Sequence, residues 1–457
     1  MRTNCTFRTQ WFWVASLAVL GVLGMLGTTT CYGQSADALI DKLMEKGILT
    51  REEADLLREE ADKDFRRAYS VKSGLAEWVT SFAFHGDVRV RYESFHLPND
   101  QAAVGSTSAV DRHRFRYRLR VGATAGFWDN LQAGFRLTSG EASATGGDPL
   151  SGNSTFANNA SKKYVYIDLA YGKWTAINNP DWTLVLTGGK MENPFVFGEM
   201  TFDKDYTPEG AALHLVRRLD DKHSLVLNAG GFVLNELAAL SDDSYLFGVQ
   251  TRWEAEWSQH FQTSLGAAWF SIMGNDNLSN AQVFNSNRGN TRTAAGGLAY
   301  NYNPFMFDLA VTYYLEKFYR YSNPFPIRLE ADYLHNPVVQ KDNYGWSVGL
   351  SFGKAGKRGL WELSYRYRYL GADAWYEEFV DSDFGGFYGV APAGGGAGYG
   401  PGTNVRGHII RFGYSPFDST TLGISYFLTD LINDFPAPGA RASSAVGRLQ
   451  VDVSWKF

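Results

Sequence analysis

Apolar and polar residues alternate one by one along most of the chain from Phe82 onward. In SFAFHGDVRVRYE (81–93), Phe82, Phe84, Val88, Val90 and Tyr92 share one face, and His85, Asp87, Arg89, Arg91 and Glu93 share the other. In RHRFRYRLRVGATA (112–125), Phe115, Tyr117, Leu119, Val121 and Ala123 alternate with Arg112, Arg114, Arg116, Arg118 and Arg120. A turn at 127–130 leads into LQAGFRLT (131–138), where Leu131, Ala133, Phe135 and Leu137 oppose Arg136. Side chains in a strand change face at every residue, so this period predicts strands with one wholly apolar face. Further strands are predicted near 163–172, 181–190, 211–219, 224–234, 244–257, 261–271, 292–301, 305–316, 343–353, 360–370, 405–415, 420–430 and 446–457, about sixteen in all. Short turns (128–130, 220–223, 258–260, 353–359, 416–420) alternate with long polar loops near 94–111, 139–162, 191–210, 272–291, 317–342, 371–404 and 431–445.

An even number of such strands, with short turns at one end and long loops at the other, predicts an all-β, transmembrane antiparallel barrel over residues 80–457. The last strand, LQVDVSWKF (449–457), has Leu449, Val451, Val453, Trp455 and Phe457 on one face. An exposed apolar edge recruits other chains, and closure removes the edge. The strand resembles the C-terminal signal strand of bacterial outer-membrane barrels, in which a terminal Phe follows a dyad repeat. Aromatics near the turns, among them Trp128, Trp174, Trp182, Trp257, Phe261, Phe352, Trp361, Phe417 and Trp455, are expected to form an interfacial girdle.

The magnitudes decide which face meets lipid. One Arg on the lipid side of a barrel costs about 2–4 kcal/mol at mid-depth, so several together cost on the order of 10 kcal/mol. The arginines are therefore expected to face inward. Neighbours on one face lie about 6.6 Å apart along a strand, where like charges repel by roughly 0.6 kcal/mol in water and several-fold more in a dry medium. The interior must be wet or supplied with acids.

The start of the chain has a different pattern. Residues 1–33 carry Arg2 and Arg8, an apolar run (11–27) and small residues toward Gly33, which reads as a secretory signal peptide. Cleavage there removes both cysteines, leaving no disulfide and no cysteine-metal site. It leaves 41 basic residues against 48 acidic ones, a net of −7, which argues against nucleic-acid binding. In residues 34–70, Leu39, Ile40 and Leu43, then Ala54, Leu57 and Ala61, fall at helical spacing. Gly47 ends a first helix, and Thr50 with Glu53 forms a capping box for a second. This predicts a short periplasmic helical hairpin, either an oligomerising or wall-facing module or a plain spacer. No later run of 18 apolar residues occurs, so a membrane crossing has to be made by strands.

The signal, the hairpin, GDVRVRYESF (86–95), RHRFRYRLRVG (112–122), GKMENPF (189–195), DKDYTPEGA (203–211) and Phe457 together resemble the bacterial "putative porin" family, related to the phosphate-selective (O and P type) porins. The resemblance implies a sixteen-stranded outer-membrane channel, usually a homotrimer, set in outer-membrane lipid and passing small hydrophilic solutes or anions.

A pore selects by the charges lining it. Arg89, Arg91, Arg114, Arg116, Arg118, Arg120 and Arg136 form a predicted basic wall, and Arg366 with Arg368 a smaller one. The loop after the fifth strand carries Glu199, Asp203, Asp205 and Glu209. It matches in position the inward loop of general porins, and is expected to set acids against the basic wall. A weak anion preference follows. The ladder has no accompanying lysine cluster, which weakens the alternative of a phosphate-specific pore.

GWSVG (345–349) matches G-x-S-x-G but lies inside a predicted strand rather than on a strand-turn-helix elbow. The eight His are scattered, with only His85 and His113 as candidate lumenal neighbours, so neither a metal nor another cofactor is expected. Two other classes compete. A barrel-based enzyme requires an acid/base or Ser/His cluster at the outer rim, and none is visible. A secreted soluble β protein would lack heat-modifiable migration on gels.

Overall fold

The computed structural model describes residues 74, 76–96, 111–143, 146–238, 242–279, 283–284, 287–319, 321, 324–388, 400–433 and 444–457. The predicted signal peptide (1–33), with both cysteines, and the helical hairpin (34–70) lie outside the described residues. The chain divides into two units, Met1–Glu77 and Trp78–Phe457, and the barrel is the second.

Sixteen strands form the wall: β1 (Val79–His96), β2 (Arg112–Phe127), β3 (Leu131–Gly140), β4 (Tyr164–Asn178), β5 (Trp182–Lys190), β6 (Glu209–Arg218), β7 (His223–Asn235), β8 (Ser244–Ser258), β9 (Phe261–Met273), β10 (Phe305–Leu315), β11 (Phe325–His335), β12 (Tyr344–Gly353), β13 (Trp361–Leu370), β14 (Val405–Phe417), β15 (Thr420–Leu431) and β16 (Val446–Lys456). Each pairs antiparallel with its sequence neighbours, and β16 pairs with β1, so the sheet closes without an edge. Among the described residues the only helical pieces are single turns at Trp128–Asn130 and Asn275–Asn277. The β2–β3 turn is tight because Asp129 and Asn130 both take the left-handed conformation, φ 59°, which Asn and Asp tolerate better than most residues.

One predicted strand is wrong and one is missing. Residues 292–301 do not join the wall. They fold back on themselves, with Arg292 bridging Leu298 and Thr293 N–H donating to Gly297 O at 2.8 Å. The predicted loop 317–342 instead contains β11, whose Ile327, Leu329, Ala331 and Tyr333 alternate with Arg328, Glu330 and Asp332. The total survives because the two errors cancel. The direction of residues 305–315 does not, since they form the tenth strand rather than the eleventh and so run toward the short-turn end.

Alternation sorts the wall by chemistry. Outward positions are large and apolar, as at Phe84, Phe115, Trp174 and Ile424, whereas inward Arg91, Arg118, Arg368 and Gln450 are buried. Trp128, Trp174, Trp182, Trp257, Phe417, Trp455 and Phe457 stay exposed as a girdle requires. Phe352 and Trp361 differ, since they pack onto Tyr321, Phe325 and Leu360 at the β10–β11 and β12–β13 turns.

The lumen is not an open tube. Phe232, Leu246, Phe270, Met306, Leu334 and Leu370 point inward and are covered by Phe195, Met200 and Phe202 of the β5–β6 loop and by Trp375, Tyr376 and Phe379 of the β13–β14 loop. Complete burial of one such side chain contributes about 1.5–3 kcal/mol, so this cluster holds both loops inside the barrel.

Candidate functional site

Register decides what the basic wall becomes. Across β1 and β2, Asp87 faces Arg120, Arg89 faces Arg118, Arg91 faces Arg116 and Glu93 faces Arg114. Two of these four are like-charge pairs, which destabilise a sheet unless acids intervene. The acids are present. Arg118 and Arg120 share Asp87 (3.0 and 2.8 Å) and Asp205 (3.0 and 3.3 Å). Arg91 bonds Asp452 of β16 at 2.7 Å and Asp383 at 3.1 Å. Arg114 and Arg448 both bond the fully buried Glu93. Among the described residues Arg89 and Arg116 have no carboxylate within ion-pair distance. Arg89 donates to Asn153 Oδ1 at 2.7 Å and Arg116 to Asn153 O at 3.4 Å, and the Nε of each is buried without a partner.

The remaining predicted arginines lie elsewhere on the wall. Arg136 on β3 spans Asp168 (2.5 Å) and Glu192 (2.8 Å). Arg366 bonds Glu330 and Asp332 of the unexpected strand β11, and Arg368 bonds Asp381 at 3.1 Å.

The β5–β6 loop crosses the lumen. Val196 bonds Gln250 on β8, Gly198 N–H donates to Asp332 on β11 at 3.3 Å, and Glu199 bonds Arg411 on β14 at 2.5 Å. Asp205 then reaches Arg118 on β2. Two absent side chains permit this course. A Cβ on Gly248 would lie 2.6 Å from the Phe195 ring, and one on Gly198 would lie 2.7 Å from Asp332. Glu209, predicted with the loop acids, instead begins β6 and bonds Lys190 at 3.0 Å.

A second inward loop, at 371–388, was not legible in the sequence. It docks on the first: Asp203 N–H donates to Phe379 O at 2.6 Å, Ser382 N–H to Asp203 Oδ2 at 3.0 Å, and Trp375 Nε1–H to Thr201 O at 2.8 Å. It also supplies Asp381 and Asp383 to the arginines. Burial, with Asp205 and Asp381 nearby, raises the Asp203 carboxyl well above the usual carboxylate range. Burial likewise raises Asp381, with Glu199 adding to it. Burial pushes Asp205 and Glu199 up as well, but Arg118 and Arg120 in one case, and Arg411, Lys204 and Arg368 in the other, outweigh it and hold both below their usual values.

Ser347 of GWSVG sits inside β12, donating to Asp332 Oδ2 at 2.6 Å and accepting from Arg366 at 2.9 Å, so it belongs to the ion network. His85 lines a lumenal cavity of about 330 Å³. His113 is on the outer face instead, bonded to Tyr92 at 2.8 Å, because it alternates with the inward arginines of β2. Among the described residues no group of His, Cys, Asp and Glu could hold a metal ion.

A closed wall, apolar outside and lined inside by ion pairs around inward loops, is the construction of an outer-membrane channel. Residues 67–293 match the model of the family described as "Putative porin", and the chain is an outer-membrane porin. Three solved structures are similar to it. The outer membrane channel DcaP of Acinetobacter baumannii is 12% identical, covering 82% of this chain and 97% of that one, with a TM-score of 0.43. OprB of Pseudomonas putida at high pH is 8% identical over 86% and 96%, with a TM-score of 0.49. OmpF of Salmonella typhi with daunomycin is 10% identical over 82% and 97%, with a TM-score of 0.44. No curated protein matches the sequence.

Proposed function

We propose that this porin is a passive diffusion channel for small hydrophilic solutes and ions, with a weak anion preference, and that the loops at 191–208 and 371–388 together form its constriction. The observation that carries the preference is the imbalance around β16, β1 and β2. Among the described residues, seven arginines (89, 91, 114, 116, 118, 120, 448) stand among five ion-paired carboxylates (Asp87, Glu93, Asp205, Asp383, Asp452). The excess is Arg89 and Arg116, the latter partly offset by Glu141 without a direct ion pair. Pairing cancels most of the field that the ladder would otherwise exert, so the preference is weak.

Planar-bilayer conductance with reversal potentials in a salt gradient tests this reading. Ohmic channels with a small anion-directed reversal potential are expected, and a strongly cation-selective pore would sink the charge assignment. The same unpaired arginines favour one second reading, a phosphate-specific pore. Inhibition of chloride current by millimolar phosphate supports it, and equal passage of both anions opposes it.

Residues 1–33 act as a secretory signal. The porin assembles as a homotrimer. The assembly rests on the family resemblance, and native mass measurement on detergent-solubilised protein decides it. A monomer as sole species removes it.

A further inference from the structure

A cavity of about 570 Å³ beside β2 to β6 is lined by charges of both signs and by aromatic rings. Arg120 and Lys190 stand among Asp205, Glu209, Glu236 and Glu378, and Tyr206, Leu234 and Phe379 supply apolar surface. Among the described residues some hydrogen-bonding capacity is left over. Arg120 gives Nε to Asp87 and Nη1 to Asp205, which leaves Nη2. Lys190 donates to Thr207 O and to Glu209 Oε1, both at 3.0 Å, which leaves Glu209 Oε2.

The rings are held in place: Tyr206 stacks on Phe202 with centroids 5.9 Å apart, and Tyr376 meets Phe379 edge-on at 5.1 Å.

A lining bearing both signs suits neither a simple anion nor a simple cation, because each meets repulsion from part of it. A zwitterion satisfies groups of both signs, and an apolar side chain covers the rings. We propose, resting on the channel reading above, that this cavity binds zwitterionic solutes with an apolar side chain, that is, amino acids or short peptides. The solute carboxylate lies at Arg120 and Lys190 and its ammonium group at Glu209. Its side chain lies against Tyr206 and Phe379.

Calorimetric titration of the purified protein in detergent tests the site with four probes: L-phenylalanine, glycine, 3-phenylpropionate and 2-phenylethylamine. Phenylalanine is expected to bind at least about tenfold tighter than each of the others, since each lacks one charge-assisted bond or the ring. Arg120→Gln should weaken phenylalanine and 3-phenylpropionate alike, whereas Glu209→Gln should weaken phenylalanine and 2-phenylethylamine. Equal binding of phenylalanine and 3-phenylpropionate, equal binding of phenylalanine and glycine, or no heat at millimolar concentration overturns the proposal. If Arg120→Gln loses heat-modifiable migration, Glu209→Gln at the rim decides. Conductance without amino acid is read in parallel. A chain that conducts but does not bind phenylalanine refutes the site alone, and one that binds but does not conduct refutes the channel reading alone.

Discussion

Gly86 and Phe457 exchange both backbone hydrogen bonds, Gly86 N–H to Phe457 O at 2.8 Å and Phe457 N–H to Gly86 O at 3.1 Å. The Phe457 ring lies over Gly86, where a Cβ would stand 2.6 Å from it and 2.5 Å from Arg120 O. The ring also stacks against Phe84 on the outer face, with centroids 6.1 Å apart.

This contact makes Gly86→Val a test of barrel closure. Overpacking typically costs about 1–3 kcal/mol, and here it falls on the seam. Less heat-modifiable barrel is expected, and Phe457→Asp should act in the same direction by placing a charge at the lipid interface. Wild-type assembly of both variants would show that the seam does not depend on this pair.

Glu93 carries the second prediction. It is fully buried and accepts from Arg114, Arg448 and Gln450. Glu93→Gln leaves two guanidiniums without their shared acid, and breaking a buried pair by removing one partner costs about 3–5 kcal/mol. A clear fall in thermal midpoint is expected, larger than for Glu254→Gln, whose side chain is half-exposed.

Selectivity is expected to follow the unpaired arginines. Arg89→Gln with Arg116→Gln should reduce the anion-directed reversal potential. Neutralising Glu199, Asp203 and Asp205 should increase it, most through the charged Glu199 and Asp205. Arg118→Gln should also weaken anion preference, but less, because Arg120 still binds Asp87 and Asp205. A strongly cation-selective wild-type channel that none of these changes alters would place the ladder away from the constriction.

The junction of the two loops should respond to pH. The folded chain binds the Asp203 proton more tightly than the unfolded chain does, because burial and the neighbours Asp205 and Asp381 raise its carboxyl. Its contribution is therefore present in acid and lost as pH rises through the raised value. Glu199 and Asp205 are shifted downward, so their ion pairs persist until strongly acidic pH. Single-channel recordings should become noisier toward alkaline pH, and Asp203→Asn should abolish the trend. An unchanged pH profile in that variant would assign the effect to other groups.

The period-two pattern was enough to read side and class: Arg116 inward and Phe115 outward follow from alternation alone. It does not carry register, and register made the ladder an ion lattice, with Asp87 opposite Arg120 and Asp452 opposite Arg91. β11 has the alternation, yet its Pro326 and the neighbouring polar stretch read as loop. Residues 292–301 look strand-like because a self-paired hairpin also uses alternation. The loop at 371–388 has no period, and its burial comes from Trp375 and Phe379 finding apolar lumen positions on distant strands.

Two ion contacts cross the seam between the first and last strands of the barrel, Arg91 to Asp452 and Arg448 to Glu93. Their members are 361 and 355 residues apart in sequence. In any open sheet these arginines and acids cannot meet across that seam, and a strand slipped by one residue turns them toward lipid. Closure in the correct register is thus checked by charge as well as by backbone bonding, so a misassembled barrel carries an electrostatic penalty that marks it as unfinished.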